Sequence, residues 1–554
     1  MKKLTYTILF LGTLLSTNTF AQPQLVVQLI VDQLRGDLIQ KHQSQFGPDG
    51  FNYLLNHGLD FHNAHHSHAN TTTCAGHTSI ATGSYPSLHG IMDNDWYDRK
   101  TRKLMYCVED LNSQILPTNH TKVITPGRSP LTIKQSTLSD ELVLAKKGRA
   151  FSVSFKDRGA ITLAGHAGKA FWFDKKNGGF VTSQFYYKAY PQWVIDWNKQ
   201  YQAVAFDWNL KRDRSTYQNI HNKPFHHDYQ TYGQTFPHHA VNPPSEDYFT
   251  ALSRTPLGDQ LAESFVEQLL KSEKLGQSKQ RTDYLSVSFS TVDAIGHQFG
   301  PNSLEAEENL LELDETLAKL LKTIDKEVGL KNTLIVLTAD HGVSDGPSYL
   351  REHHIAEIKP VPIERTSAVI HKLLAKKFNL PKETLMSLNP PFIYLDQEII
   401  KEHNLTQANV SRFLADALTS QPGIFKAYAL PITYIEKDWL SAKVDRMSYP
   451  YRAGDIYIVQ PPYQSYGAKN ENRVAHGSPW QYDSYVPLLF VHPDFKPQLI
   501  NRPVFIVDIA ITLANLLNIK APSGAVGEPL MEVLDAYQQL GKEKPRKGFE
   551  FVAK

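Results

Sequence analysis

Strand-length apolar runs recur along the chain and are separated by stretches of longer period. Leu25-Val26-Val27-Gln28-Leu29-Ile30-Val31 is almost wholly apolar and β-branched. Phe151–Phe155, Tyr284–Phe289 and Asn332–Thr338 are runs of similar length, and Val486–Val491 is a further apolar run. Such runs suit parallel strands covered by helices on both faces. Between them the pattern turns helical at Phe51–Leu59, at Thr137–Lys147 and at Pro256–Lys271. Ser303–Val328 carries the amphipathic stripe Leu310, Leu311, Leu313, Leu317, Leu320 and Leu321, which reads as core packing. Alternating strands and helices predict an α/β fold, a mostly parallel central sheet flanked by helices.

Two regions break the alternation. From about 165 to 250 the chain is aromatic and polar, with Phe171-Trp172-Phe173, Phe185-Tyr186-Tyr187 and Trp193; it reads as an inserted subregion whose aromatics form a small core of their own. From about 345 to 470 it is punctuated by Pro390-Pro391, Pro461-Pro462 and a Gly/Ser/Asn-rich stretch, and reads as a large insertion or cap. Val504–Ile519 is expected to be a strand end passing into a helix, and the charged tail from Lys542 to be solvated. The expected organisation is one catalytic domain over 22–554 with these two insertions.

Residues 1–21 read as a secretory signal. Lys2-Lys3 precedes an apolar run from Ile8 to Leu15, and Thr19 and Ala21 supply small residues for cleavage. That run is too short to span a bilayer, and none elsewhere approaches the ~18 residues of a membrane helix. The expectation is a periplasmic or secreted, soluble, monomeric protein with no membrane partner. A formal net charge of +2 without a basic stripe argues against nucleic acid as the main partner. The 41% hydrophobic fraction, with 27 Phe and 26 Tyr, is ample for a buried core. Cys74 and Cys107 are the only thiols, so stability does not rest on a disulfide framework; the sequence leaves open whether they pair.

The candidate chemistry sits where the strands end. The first run stops at Asp32, the third leads into Asp293-Ala294-Ile295-Gly296-His297, and the fourth delivers Asp340-His341-Gly342. Open α/β sheets keep their ligands at the carboxyl ends of strands, and Asp and His four apart can lie on one helical face and clasp a metal. With His476, three carboxylates and three imidazoles suit a pair of cations such as Zn²⁺. The second run leads into Lys156-Asp157-Arg158, where two cations can converge on an anion. Thr73 opens a short helical segment, Cys74 to Ala81. There it is either a helix cap or a nucleophile beside backbone N–H groups that favour an anion. His62, His65, His66 and His68 fall in one loop, but their spacing fits no tetrahedral motif.

Thr73-Cys74-Ala75-Gly76-His77, His89-Gly90-Ile91-Met92-Asp93-Asn94, Asp293 through His297, Asp340-His341-Gly342 and His476-Gly477 together resemble the alkaline phosphatase superfamily, in the branch containing nucleotide pyrophosphatase/phosphodiesterases. Lys156-Asp157-Arg158-Gly159-Ala160 resembles the phosphate-irrepressible periplasmic alkaline phosphatases of that branch. The resemblance runs in order through the whole mature chain. It implies an alkaline phosphatase-like fold with inserted cap regions and a phosphate monoesterase acting through phospho-Thr73 at a two-zinc site. Asp293, His297 and His476 would hold one Zn²⁺; Asp32, Asp340 and His341 would hold the other, with Thr73 as an additional ligand. Asn94, Lys156 and Arg158 would bind the phosphoryl oxygens of small-molecule monoesters. A phosphodiesterase or nucleotide pyrophosphatase on the same metals is the alternative. Cys74-Ala75-Gly76-His77-Thr78 lacks the Pro and Arg of the Cys-x-Pro-x-Arg sulfatase pattern, which disfavours a sulfatase.

Overall fold

In the computed structural model the strand Leu25–Val31 (β1) stands at the centre of a nine-stranded sheet. Residues 22–117, 126–220, 235–240, 243–355, 363–464, 466 and 474–540 are described; the signal-like segment and the tail from Lys542 lie outside them. The other strands, in chain order, are Gly58–Phe61 (β2), Ala150–Ser154 (β3), Lys169–Phe173 (β4), Phe180–Val181 (β5), Asp283–Phe289 (β6), Thr333–Thr338 (β7), Leu488–Val491 (β8) and Gln498–Ile500 (β9). Their spatial order is β9-β2-β8-β7-β1-β6-β3-β4-β5. The five from β7 to β4 run parallel; β7, β1, β6 and β3 are the apolar runs expected as parallel strands, and β4 comes from the region expected to be an insertion. β8 and β5 pair antiparallel at either side.

Every residue of β1 is buried. Each apolar side chain removed from water there contributes about 1.5–3 kcal/mol. The one polar residue in the run, Gln28, accepts the hydroxyl of buried Tyr284. Register aligns the carboxyl ends of the central strands: Val31 pairs with Phe289, and Ile30 with both Ser288 and Thr338. The residues beyond those ends, Asp32, Asp293 and Asp340, therefore emerge on one edge of the sheet.

Five helices frame that edge: Thr73–Thr82 (α1), Asp157–Ala164 (α2), Leu257–Glu273 (α3), Thr291–Phe299 (α4) and Leu304–Glu327 (α5). Ser303 caps α5 by accepting Ala306 N–H, and its leucine stripe is buried as expected. All ten residues of α1 are buried. The helix stops at Gly83, whose φ of 62° is left-handed, a conformation glycine adopts without a Cβ penalty.

The aromatics of 165–250 do not form a separate core. Phe171 and Phe173 of β4 and Phe180 of β5 join the main core around Phe265 of α3, with Phe180 stacked on Phe265 at 4.1 Å between ring centres. Trp172, between them in sequence, faces the opposite side of the sheet. The strand period of two sorts the three rings between two covered faces, so no polar alternation marks them as a strand.

Within 345–470 lies a second, antiparallel sheet in the order Leu385–Asn389, Phe392–Leu395, Ile456–Val459, Lys426–Ala429. Ile393, Leu395, Ile456 and Ile458 pack against the helices Ile363–Phe378 and Gln407–Thr419. The alternate residues Phe392, Tyr394 and Tyr457 share a core with Ile91, Met92 and Trp96, beside the segment that carries Asn94. Among the described residues no helix is long and apolar enough to cross a membrane.

Candidate metal centre

Two groups of three side chains meet at the carboxyl edge. Asp32, Asp340 and His341 form one, and Asp293, His297 and His476 the other; within each, one ligand atom per residue lies within 4.8 Å of the rest. These are the six residues expected from sequence, brought together from positions 32 to 476 in the expected sets. Asp32 follows β1, and its N–H donates to Phe289 O at 2.9 Å. Asp293 and His297 sit one turn apart on α4, with His297 Nε2 3.2 Å from Asp293 Oδ1. His476 Nε2 lies 3.6 Å from the same oxygen. The rings of His341 and His476 stack at 3.6 Å and join the two groups.

The imidazoles are oriented as ligands. His297 Nδ1 faces Val474 O at 3.0 Å, His341 Nδ1 faces Gly342 O at 3.0 Å, and His476 Nδ1 faces Thr71 O at 2.8 Å. A carbonyl only accepts, so each Nδ1 carries the proton and each Nε2 keeps its lone pair for a cation. Asp32 Oδ1 and His341 Nε2, 3.5 Å apart, are buried with no hydrogen-bond partner among the described residues. Buried orphaned acceptors of this kind fit a cation between them.

Lys156, just past the end of β3, reaches both groups: its Nζ donates to Asp32 Oδ2 at 2.7 Å and to Asp293 Oδ2 at 2.5 Å. Burial alone would lower the Lys156 ammonium, but Asp293 and Asp32 raise it above its ordinary value. Burial, reinforced by Asp340, pushes the Asp32 carboxyl well above the carboxylate range. Burial acts in the same direction on Asp293, yet Lys156 and His297 outweigh it and hold that group well below. The cluster is short of positive charge on its Asp32 side.

Thr73 opens α1 after the extended Thr72 and is buried. The helix is seated against Asp340. A Cβ at Gly76 would meet Asp340 O at 2.0 Å, and His77 Nδ1 lies 3.0 Å from Asp340 Oδ2 and 2.9 Å from Thr73 O. Asn94 Oδ1 accepts Cys74 N–H at 3.0 Å, so Asn94 stands at the first turn beside Thr73. Cys74 and Cys107 are joined by a disulfide, which settles the pairing the sequence left open. Arg158 Nη1 is 3.4 Å from the Tyr106 hydroxyl, and its Nε is buried without a partner among the described residues.

Three residues at the site carried no role in the sequence reading. His77 links Thr73 and Asp340 and places its Nε2 2.8 Å from Ser288 Oγ of β6. Tyr106 contacts Arg158. Gln33 donates to a carboxylate of each group. Their signal is tertiary: none has metal-ligand spacing. The histidines at 62–68 make other contacts: His62 pairs with Gln40, His65 with Asn63 and His66 with Ala339 O, and none joins a three-ligand group among the described residues.

Comparison with known proteins gives the family. Residues 26–479 match the family model described as type I phosphodiesterase / nucleotide pyrophosphatase. The chain is 33% identical to alkaline phosphatase PafA of Elizabethkingia meningoseptica over 534 residues, 94% of this chain and 96% of that protein. The crystal structure of wild-type PafA superposes with a TM-score of 0.81 at 31% identity, covering 92% of this chain and 99% of the other. A PafA mutant substituted at a threonine, an asparagine, a lysine and an arginine superposes with a TM-score of 0.80 at 30% identity over the same shares. The chain belongs to the type I phosphodiesterase/nucleotide pyrophosphatase family of the alkaline phosphatase superfamily, on its PafA-type alkaline phosphatase side.

Proposed function

We propose that this alkaline phosphatase is an exported phosphate monoesterase that passes the phosphoryl group first to Thr73 and then to water. The observation that carries the reading is the meeting of Asp32, Asp340 and His341 with Asp293, His297 and His476 around Lys156, against the helix that Thr73 opens. The two sets would each hold one cation, and their imidazole and carboxylate donors suit zinc. Bound there, two zinc ions supply Lewis-acid charge that makes a threonine hydroxyl nucleophilic and neutralises a departing oxygen.

The chain's own groups do the rest. Thr73 Oγ forms a bond to phosphorus as the ester oxygen leaves; water then releases phosphate and restores the hydroxyl. Asn94 spends its Oδ1 on Cys74 N–H, which leaves its Nδ2 to donate to a phosphoryl oxygen. Arg158, with an unpartnered Nε, and Lys156 add positive charge where the phosphoryl group carries negative charge. A monoester bears one more negative oxygen than a diester, so this pair favours monoesters. The mutated threonine, asparagine, lysine and arginine of the PafA mutant occur in the same order and spacing as Thr73, Asn94, Lys156 and Arg158, which supports grouping them as one unit.

The test compares Arg158→Ala with the parent on aryl phosphate and on aryl phosphodiester substrates. Monoester kcat/KM is expected to fall by about 10²-fold, with a far smaller change for the diester; equal losses refute the role. The second reading, a phosphodiesterase or nucleotide pyrophosphatase, is favoured by the description of the matched family. It predicts diester turnover above monoester turnover in the parent.

A further inference from the structure

Gln33 follows Asp32 with φ 72°, in the left-handed region that side chains other than glycine's seldom enter. Such strain persists where the surroundings over-determine it, and it concentrates at functional sites. Here the residue is buried, and it donates twice. Its backbone N–H reaches Asp340 Oδ1 at 3.1 Å, and its carboxamide Nε2 reaches Asp293 Oδ1 at 2.8 Å. Asp340 belongs to one ligand group and Asp293 to the other. One residue thus ties a carboxylate of each.

Helix α4 is shaped around this contact. A Cβ at Gly296 would lie 2.0 Å from Gln33 Oε1, so the helix carries glycine between Asp293 and His297 where the carboxamide passes. The Asp293 carboxylate is then held from two sides, Oδ1 by Gln33 and Oδ2 by Lys156. With both bonds in place, Oδ1 faces His297 Nε2 and His476 Nε2.

We infer that Gln33 is a positioning residue that orients Asp293 and fixes the spacing between the two metal-ligand groups. The inference rests on the two-cation reading above. Hydrogen-bond partners of metal ligands typically carry a 10–100-fold share of metal affinity, and here a single residue would couple both groups.

The experiment titrates metal-free protein with zinc against a competing chelator and follows thermal unfolding of the same metal-free samples. Gln33→Gly relieves the left-handed backbone and keeps the N–H to Asp340, but loses the carboxamide. Gln33→Glu fills the space without an amide donor, and Gly296→Ala displaces the carboxamide from the other side. Each is expected to weaken uptake of one zinc equivalent by about 10-fold or more, with metal-free unfolding of Gln33→Gly unchanged. The double variant Gln33→Gly/Gly296→Ala should bind zinc no worse than Gln33→Gly, because the clash is gone. Parent-like uptake of both ions by Gln33→Gly and Gln33→Glu overturns the inference, as does a loss matched by collapse of the metal-free fold. A parent that takes up fewer than two ions overturns the two-cation reading instead, and this inference with it.

Discussion

Tyr106 donates its hydroxyl to Asp157 Oδ1 at 2.6 Å, and the same phenolic oxygen lies 3.4 Å from Arg158 Nη1. Asp157 Oδ2 accepts Arg128 Nε at 2.6 Å, and the Arg128 guanidinium lies 4.9 Å from the centre of the Tyr106 ring. Burial and the Asp157 charge keep the phenol protonated far above its ordinary range. Arg158 is therefore aimed by a tyrosine that cannot easily turn. Tyr106→Phe is expected to raise KM for aryl phosphates about 5-fold, equivalent to one hydrogen bond of about 1 kcal/mol. The loss should be smaller than that of Arg158→Ala and weigh little on kcat; steady-state kinetics of both variants check this.

Gly76→Ala should damage the site through packing rather than chemistry. Its Cβ would press on the backbone oxygen of Asp340 at 2.0 Å, and neither that backbone nor buried α1 has room to yield. Overpacking of this kind costs about 1–3 kcal/mol. Urea unfolding should show a lowered midpoint with an unchanged slope, accompanied by weaker metal uptake.

Metal removal provides a third check. Chelation is expected to abolish hydrolysis of aryl phosphates, and added zinc to restore it. His476→Ala, which removes one of three donors from a single group, is expected to retain about one zinc per chain where the parent holds two. Elemental analysis of the purified proteins measures this directly.

Acid stability should depend on Asp140. It is buried at the start of the helix Leu138–Leu144, where it accepts Thr137 N–H in a capping box as well as the N–H groups of His166 and Ala167. Burial would raise its carboxyl, but the bonds from His166 and Thr137 outweigh it and lower it. A lowered native value means the contribution is complete above the ordinary carboxylate range and is lost as pH falls through the native value. Asp140→Asn is expected to cost about 2–3 kcal/mol near neutrality. That gap should narrow below about pH 4; denaturant titrations of both proteins at several pH values would reveal a constant gap if the carboxylate were not involved.

Five of the six ligand residues were legible because they follow apolar runs, and runs buried on both faces announce themselves in sequence; His476, in a loop, was legible only through the resemblance of His476-Gly477. Asp32, Asp340 and His341 needed only the ends of β1 and β7, and Asp293 with His297 needed one turn of helix. The strands β4 and β5 were not legible: Phe171-Trp172-Phe173 is sorted between two cores by a face alternation that hydrophobicity does not record. The strands of the second sheet escaped for the same reason, with Ile393 and Tyr394 both apolar yet facing different cores. Gln33 lay outside sequence reasoning altogether, because its two acceptors are brought to it only when β1, β7 and α4 assemble.

The pairing of Cys74 with Cys107 has a consequence for how Thr73 and Asn94 are held together. Both cysteines clasp Asn94: Cys74 N–H holds its side chain and Cys107 N–H its carbonyl. Reduction would cut the covalent tie between the neighbour of Thr73 and the segment that presents Asn94, and leave these hydrogen bonds to hold them. On the reading proposed above, catalytic competence would then respond to the oxidation state of this one pair.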